Sequence, residues 1–259
     1  MSATLKIERA GHIARVTLNR PEVRNAFNDA VIAELTAAFA ELGQDPALRA
    51  IVLAAEGKAF CAGADLNWMK AMAGYSWDEN HADAGKLAQM LWTIYSCPVP
   101  VIARVQGDVY AGGVGLVSVC DIVVAVDTAG FCLSEAKLGL LPATIGPYVV
   151  RALGEQASRR YFVTAERFPA ADAHRLGLVH ELATAETLDQ KVDALTSAIA
   201  ANGPAAVRAC KKLVQDVAHA AITPALRDDT ARRIADIRAS DEGRAGVQSF
   251  LNKSAVPWL

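Results

Sequence analysis

The sequence of 259 residues lacks several features that would assign it quickly to a class. Aromatic residues make up only 6% of it, and 26 Lys and Arg nearly balance 28 Asp and Glu, for a net charge of -2. A nucleic-acid-binding protein usually carries a basic excess, so we expect no nucleic-acid partner. The hydrophobic content of 53% is too high for a disordered chain and predicts a packed core.

Cysteine patterns and long hydrophobic runs are also missing. The five cysteines are odd in number and show no CxxC spacing, so we expect reduced, buried thiols and no metal site. The longest apolar stretch, residues 109–120, is shorter than the roughly 20 residues that cross a bilayer. The N-terminus shows no apolar segment of a signal peptide. We therefore expect a soluble, cytoplasmic protein with no membrane partner.

Motifs of several common enzyme classes are absent as well. There is no GxxxxGK[ST] phosphate loop, no GxSxG nucleophile elbow and no HExxH metal motif. Residues 113–118 only approach the GxGxxG pattern, and no acidic residue ends a strand about 20 residues later, as a dinucleotide site requires. The motifs therefore argue against a nicotinamide cofactor.

The sequence does contain an alternation of buried strands, glycine-rich loops and helices. Runs without polar residues are typical of strands covered on both faces, and Asn28 can cap the helix that follows it. Strands are predicted at 50–54, 101–105 and 121–125, and helices at 29–42, 80–95, 148–163, 170–176, 187–201, 204–219, 224–239 and about 241–253. The pattern predicts a parallel α/β core over residues 1–190 and a helical region over residues 191–259.

Two glycine-rich loops are the best candidates for a ligand site. Residues 59–66 follow one buried strand, and residues 107–115 follow another. Ligands of open α/β sheets collect at the C-terminal ends of strands, and small residues let backbone N–H groups approach them. Two such N–H groups on one oxygen would form an oxyanion hole. Spacing alone is explained at least as well by two tight turns.

Several further motifs occur in a fixed order along the chain. They are Asn19-Arg-Pro21, Asn25-Ala-Phe27, Phe60-Cys-Ala-Gly-Ala-Asp-Leu66, Pro100-Val-Ile-Ala-Arg-Val-Gln-Gly107, Ala111-Gly-Gly113, Cys120-Asp-Ile122, Phe131-Cys-Leu-Ser-Glu-Ala-Lys-Leu-Gly139, Ala173-His-Arg-Leu-Gly-Leu-Val179, and Glu242-Gly243 through Phe250-Leu-Asn-Lys253. Together they resemble the enoyl-CoA hydratase/isomerase (crotonase) family over nearly the whole chain. Residues 63–70 and 140–148 are most similar to the methylglutaconyl-CoA hydratase-like branch of leucine and acyclic-terpene catabolism.

The resemblance implies a fold and an assembly. The fold would be the crotonase (ClpP-like) spiral of ββα units, followed by a C-terminal helical trimerisation region. The protein would form a homotrimer, often paired as a hexamer. Its substrate would be an acyl-CoA thioester, and because the substrate itself carries coenzyme A, no separate cofactor and no metal are implied.

The resemblance also implies roles for residues of the two loops. The thioester carbonyl would lie between the backbone N–H groups of Ala64 and Gly112, and Gly112 would open a buried helix whose positive end favours negative charge. Backbone around Ala62, Asp65 and Leu66 would meet the adenine.

Other matched positions would contact the substrate from elsewhere in the chain. Lys58 would lie near the phosphates of coenzyme A, and Gly115 would be among the substrate contacts. Phe250 and Lys253 match positions that close the site of a neighbouring subunit.

Glu135 matches a catalytic glutamate of the family. Enolate chemistry at a thioester needs charge stabilisation on oxygen and an acid or base near the α-carbon, whereas the alternative for Glu135 is a salt bridge to Lys137. Two-glutamate hydratases carry their other acid three residues after the oxyanion glycine. That position is Gly115 here, and glycine has no proton to give or take.

Three functions follow from the resemblance. The first is hydration of an α,β-unsaturated acyl-CoA, with methylglutaconyl-CoA or a related branched thioester as the substrate. The alternatives are an enoyl-CoA isomerase that uses one glutamate, and a non-catalytic acyl-CoA-binding homologue.

A methylglutaconyl group has a distal carboxylate, so its pocket should hold a cation or strong donors. The candidate cations are Lys70, Lys86, Lys137 and Arg151, and the residues expected in the acyl pocket or in packing are Trp68, Met69 and Met72.

Overall fold

A computed structural model describes residues 4–259. The chain divides into two compact units, Met1–Ala194 and Leu195–Leu259. The strands are β1 Leu5–Ala10, β2 Ile13–Leu18, β3 Ala50–Ala55, β4 Ala59–Cys61, β5 Val101–Val105, β6 Asp108–Tyr110, β7 Ile122–Val126, β8 Gly130–Cys132, β9 Arg167–Pro169 and β10 Glu181–Ala183. The α-helices are α1 Asp29–Gln44, α2 Leu66–Met72, α3 Trp77–Tyr95, α4 Gly112–Ser118, α5 Gly146–Leu153, α6 Glu155–Thr164, α7 Ala170–Arg175, α8 Leu188–Ala200, α9 Pro204–Val217, α10 Pro224–Ala239 and α11 Asp241–Asn252.

The larger sheet has the strand order β1-β2-β3-β5-β7-β10. β1 pairs antiparallel with β2, and each later neighbour pairs in parallel. All six residues of β3 are buried, which agrees with its run of apolar residues. The predicted strands at 50–54, 101–105 and 121–125 are therefore confirmed as β3, β5 and β7.

A smaller sheet of short strands was not predicted. Its order is β4-β6-β8-β9, and each of its strands is three residues long. Three residues are too few for a readable alternation of apolar and polar positions, so only tertiary pairing shows these strands. β4 and β6 lead directly into the two glycine-rich loops and therefore place both loops side by side.

Local capping sets where the helices begin. Asn28 accepts a hydrogen bond from the N–H of Val31 at 3.0 Å, which confirms it as the cap of α1. α3 begins at Trp77, three residues before the predicted start, because Ser76 and Glu79 form a capping box. The Ser76 hydroxyl accepts from the N–H of Glu79, and the Glu79 carboxylate accepts from the N–H of Ser76.

The single helix predicted over 148–163 is wrong. Gly154 has φ +78 and ψ 160, a conformation that interrupts the helix and that side chains disfavour. The chain therefore forms two helices, α5 and α6, which meet at this glycine.

The second unit contains the end of α8 and the helices α9, α10 and α11. The carboxylate of Glu242 accepts hydrogen bonds from the backbone N–H groups of Ala205 and Ala206 and so caps the first turn of α9. Trp258 donates its indole N–H to the carbonyl of Ala201 at 3.1 Å. Within residues 4–259, no helix combines the length and the apolar character needed to cross a bilayer.

The cysteines are free thiols. Four of them are buried, as predicted, and burial raises the pKa of Cys61 to about 12. Cys210 departs from the prediction, since it is exposed.

Candidate active site

The two glycine-rich loops touch at Gly63 and Ala111. A Cβ placed on Gly63 would lie 3.0 Å from the Cβ of Ala111 and 3.4 Å from the carbonyl oxygen of Tyr110, and Gly63 has φ +89. Both the space and the backbone conformation therefore require glycine at this position. The next residues in the two loops are Ala64 and Gly112, so the contact holds the two predicted oxyanion donors in adjacent loops.

The backbone of Ala64 is oriented by a parallel bridge to Phe27. Phe27 donates its N–H to the carbonyl of Gly63, and Asp65 donates its N–H to the carbonyl of Phe27, both at 2.7 Å. Because successive N–H groups of an extended chain point to opposite sides, the N–H of Ala64 points away from Phe27. It is thereby left available to a ligand.

The backbone of Gly112 is oriented by Ala111. Ala111 has φ +47 and ψ -120, an unfavourable conformation for a residue with a Cβ, and its N–H is bonded to the carbonyl of Cys132 at 2.8 Å. Gly112 is the first residue of α4, so its N–H has no carbonyl partner within the helix. A Cβ at Gly112 would lie 3.0 Å from the ring of Phe27, so a side chain there would require the ring to shift.

A cavity of about 520 Å³ opens beside these two residues. Ala62, Ala64, Gly112 and Glu135 all line it, together with mostly apolar side chains. The largest of these are Phe27, Leu66, Trp68, Met69, Met72, Leu87, Leu138, Leu140, Leu141 and Ile145. The structure thus brings the predicted catalytic residues together on one apolar wall.

Glu135 is placed where its carboxylate is poorly solvated. Its Oε2 atom is buried and has no hydrogen-bond partner in the described chain. Burial raises the pKa of Glu135 above its ordinary value. No ion pair joins it to Lys137 among residues 4–259, so the alternative structural role has no support, and the carboxyl group is suited to exchange a proton with a ligand.

Gly115 lies apart from the other predicted contacts. It is buried in α4, and a Cβ at this position would lie 2.1 Å from Cγ2 and 2.5 Å from Cβ of Ile145. Ile145 lines the cavity, whereas Gly115 is outside its lining. The isoleucine therefore fills the space where the side chain of a second acid at position 115 would stand, and the substrate contact at Gly115 stays a prediction.

Lys58 lines a second cavity, of about 500 Å³, that adjoins the first at Ala62. Arg24 and Arg167 lie on the same wall, and Arg167 is paired with Asp108 at 2.8 Å. Sequence reasoning missed Arg24. The sequence clue to Arg24 is its position between the matched motifs at 19–21 and 25–27. In the structure its carbonyl accepts a hydrogen bond from the N–H of Ala62 at 3.0 Å.

Asp65 holds its loop through its side chain. The buried carboxylate pairs with Arg20 at 2.8 Å and caps α2 by accepting the N–H of Asn67. Burial alone would raise the pKa of Asp65, but the hydrogen bonds and charge of Arg20, with the N–H groups at the start of α2, lower it below its ordinary value. Leu66, the next residue, is 74% exposed and lines the cavity.

Phe250 and Lys253 belong to the second unit. Phe250 is 82% exposed on α11, and Lys253 ends that helix with φ +53. None of the four candidate cations lines the 520 Å³ cavity, whose described wall contains no Lys, Arg or His. The expected cation for a distal carboxylate is thus missing from this wall. Within residues 4–259, no cluster of His, Cys, Asp and Glu is arranged to hold a metal ion.

Known proteins with similar sequences share one family description. A family model for enoyl-CoA hydratase/isomerase matches residues 8–259. A protein of Alternaria alternata named enoyl-CoA hydratase ACTT6 is 34% identical over 260 residues, which cover 97% of this chain and 83% of that protein.

Solved structures of similar proteins superpose on this chain over nearly its whole length. A Legionella pneumophila protein described as an enoyl-CoA hydratase/isomerase (crotonase) is 41% identical, with a TM-score of 0.95 and coverage of 100% of both chains. An enoyl-CoA hydratase of Shewanella pealeana is 38% identical, with a TM-score of 0.95 and coverage of 98% of this chain and 96% of that one.

Proposed function

The chain belongs to the enoyl-CoA hydratase/isomerase family and has its crotonase fold, and from this premise we propose that it adds water to an α,β-unsaturated acyl-CoA thioester. One observation carries the proposal. Ala64 and Gly112, whose backbone N–H groups are available to a ligand, line the same apolar cavity as the poorly solvated Glu135.

The N–H groups of Ala64 and Gly112 form the oxyanion hole. When water adds to C3 of the substrate, negative charge moves to the thioester oxygen, and the enolate needs hydrogen-bond donors already in place. A single donor of this kind stabilises a transition state by about 2.7–4 kcal/mol. The bridge to Phe27 and the conformation of Ala111 hold both donors before the substrate arrives.

Glu135 handles the proton at the α-carbon. Its raised pKa keeps a larger share of the carboxyl groups protonated than an ordinary glutamate would have at the same pH. The protonated carboxyl can therefore give its proton to C2 of the enolate. A positioned acid or base of this kind contributes roughly 10²–10⁴-fold to the rate.

The second cavity accepts part of coenzyme A. Lys58 and Arg24 on its wall can bind phosphate. The shared residue Ala62 joins this cavity to the cavity of about 520 Å³ that contains Glu135, which we call the acyl cavity. A thioester could therefore place its acyl end beside Glu135 and its nucleotide end beside the cations.

The acyl group is branched or linear and uncharged at its far end. The resemblance favours methylglutaconyl-CoA or a related branched thioester, but a distal carboxylate would enter a wall that carries Glu135 and Asp83 and no cation. We therefore favour a related branched thioester without a charge over methylglutaconyl-CoA. A substrate carboxylate beside the carboxyl groups of Glu135 and Asp83 would be unfavourable in a cavity of low polarity.

Double-bond isomerisation is the second candidate function. It needs one carboxyl group that moves a proton between carbons, and the absence of an acid at Gly115 favours it. A non-catalytic acyl-CoA-binding role has less support, because the cavity contains Glu135 in a proton-exchanging environment.

Turnover against a panel of enoyl-CoA thioesters tests these functions. The panel contains crotonyl-CoA, a branched neutral enoyl-CoA, 3-methylglutaconyl-CoA and a β,γ-unsaturated isomer, and product mass separates water addition from double-bond migration. We expect a gain of one water on the neutral α,β-unsaturated thioesters. Migration without any hydroxyacyl product would identify an isomerase, and binding without turnover would identify a non-catalytic protein.

We also propose that the protein is a homotrimer or a dimer of trimers. The resemblance places Phe250 and Lys253 against a neighbouring subunit, and the exposed ring of Phe250 on α11 is consistent with an interface.

A further inference from the structure

Asp83 is a second carboxylate on the wall of the acyl cavity. It lies on α3, where Asn80, Ala84 and Leu87 line the same cavity at helical spacing. The residue as a whole is only 9% exposed.

Asp83 has no partner within the described chain. None of the hydrogen bonds or ion pairs of residues 4–259 involves its side chain. The other buried carboxylate of these residues, Asp65, is paired with Arg20 and bonded to the N–H of Asn67. A carboxylate that has no partner in the protein and lines a mostly apolar cavity is a candidate for contact with the ligand.

The cavity also needs a second proton-handling group. The position three residues after the oxyanion glycine is Gly115, and Ile145 occupies the space that a side chain there would fill. Asp83 and Glu135 are the carboxylates on the cavity wall, and they come from different elements of the fold. Helix α3 therefore supplies an acid to the same cavity from another side.

We propose that Asp83 is the group that accepts the proton of the attacking water during hydration. The inference rests on the proposed function and names the residue that performs its second proton transfer. Asp83 touches the water and is in this sense a catalytic residue.

The proposed step balances in atoms and charge. The water oxygen forms a bond to C3 and gives one proton to the Asp83 carboxylate, while the π electrons of the C2=C3 bond move through C1 to the thioester oxygen. The resulting enolate collapses as C2 takes the proton of the Glu135 carboxyl. The product has gained one water, and the proton then returns from Asp83 to Glu135 through solvent, which restores both groups.

Asp83→Asn tests the role, because asparagine keeps the shape and loses the carboxylate. We expect the kcat for hydration of crotonyl-CoA to fall by about 10²-fold or more. The exchange of the α-proton of butyryl-CoA in heavy water should stay within about threefold of wild type, since it needs only Glu135 and the oxyanion donors. Asp83→Glu, which keeps the carboxylate, should hydrate faster than Asp83→Asn.

Asp78→Asn is the matched control, since it makes the same change on an exposed residue of α3 outside the cavity. It should behave as wild type in both assays. Wild-type hydration by Asp83→Asn would overturn the proposal and leave Glu135 with both proton steps. Loss of hydration and exchange together would overturn it too, because the residue would then have a structural role. A wild-type protein that exchanges α-protons but never forms a hydroxyacyl product would overturn the proposed function itself.

Discussion

The protonation state of the Glu135 carboxyl group makes the stability of the folded protein depend on pH. Its Oε2 atom is buried and unpartnered in the described chain, and burial raises its pKa. A group whose pKa is raised in the folded state stabilises that state fully below its ordinary pKa of 4.5, and this contribution is lost as the pH rises through the folded pKa. The folded protein is therefore less stable with Glu135 ionised, which is the form that Glu135 takes after it gives its proton in the proposed reaction.

This coupling predicts how Glu135→Gln changes thermal stability. Glutamine cannot ionise, so the Tm of the variant minus that of wild type should increase between about pH 4 and about pH 8. Differential scanning calorimetry across this range measures the difference. Glu155→Gln, at an exposed glutamate of α6, is the control for the loss of one carboxyl group. A Glu135→Gln difference that stays constant with pH would contradict the account.

Single residues of the site differ in how far the sequence predicts them. Ala64, Gly112 and Glu135 stand in motifs that resemble a family, and the structure brings all three to one cavity. Asp83 has no motif of its own, since a polar residue in an amphipathic helix is normally solvated. Asp83 becomes a candidate only because its side chain has no hydrogen bond or ion pair within the described chain, and a sequence pattern cannot show that a contact is missing.

At the scale of elements, the packing of α4 against the start of α5 limits which side chain position 115 can carry. Gly115 of α4 faces Ile145, the residue before α5, at a distance that excludes a Cβ. An acid at position 115 would have to displace a side chain that is only 2% exposed. The packing of these helices therefore excludes the two-glutamate arrangement at this site.

Gly115→Ala measures this packing. We expect it to lower the free energy of unfolding by about 1–3 kcal/mol, because an added methyl group overpacks the core. Gly85→Ala is the control, since a Cβ at this helical glycine meets no atom within 4 Å, and it should be neutral or stabilising by about 0.5–1 kcal/mol.

Urea unfolding provides both values. In the double variant Gly115→Ala/Ile145→Ala the two losses should be less than additive, because Ile145→Ala removes the Cγ2 atom that the new methyl group would meet. Equal stabilities of Gly115→Ala and wild type would show that α4 and α5 are not packed as described.

The sequence predicts long elements better than short ones. The helices at 29–42, 204–219 and 224–239 have the periodicity of an amphipathic helix, and α1, α9 and α10 confirm them. β4, β6, β8 and β9 exist only through pairing with one another. The break at Gly154 depends on one backbone conformation, which a run of helix-forming residues conceals.

Exposed apolar side chains on α11 are the clearest feature at the scale of the whole molecule. Val247, Phe250 and Leu251 are 58%, 82% and 68% exposed. Large apolar groups left open to water together are typical of an interface. They support the proposed assembly of several copies.

Multi-angle light scattering tests this assembly. We expect a mass of three or six chains of 27.4 kDa. Phe250→Ala should weaken the interface, so its activity should fall on dilution and return at higher protein concentration, as mass action requires. A monomeric wild-type protein at micromolar concentration would contradict the proposal.

The family was predictable from the whole sequence, whereas the acyl group was not. Linked motifs from residue 19 to residue 253 predicted the crotonase fold, which the structural neighbours confirm at TM-scores of 0.95. The acyl cavity is assembled from distant segments, including α2, α3, and residues 134–145. The absence of a cation from its lining becomes visible only when these segments are brought together. The sequence alone therefore could not decide whether any of the four candidate cations lies in the acyl cavity.

The central claim is that Glu135 transfers the proton at the α-carbon of a bound thioester. The most direct test is the steady-state hydration of crotonyl-CoA by wild type and Glu135→Gln, with crotonyl-CoA binding measured by calorimetry. We predict that kcat falls by roughly 10²-fold or more, while the Kd changes much less, because the oxyanion donors and the contacts to coenzyme A remain. Turnover by Glu135→Gln at the wild-type rate would contradict the account.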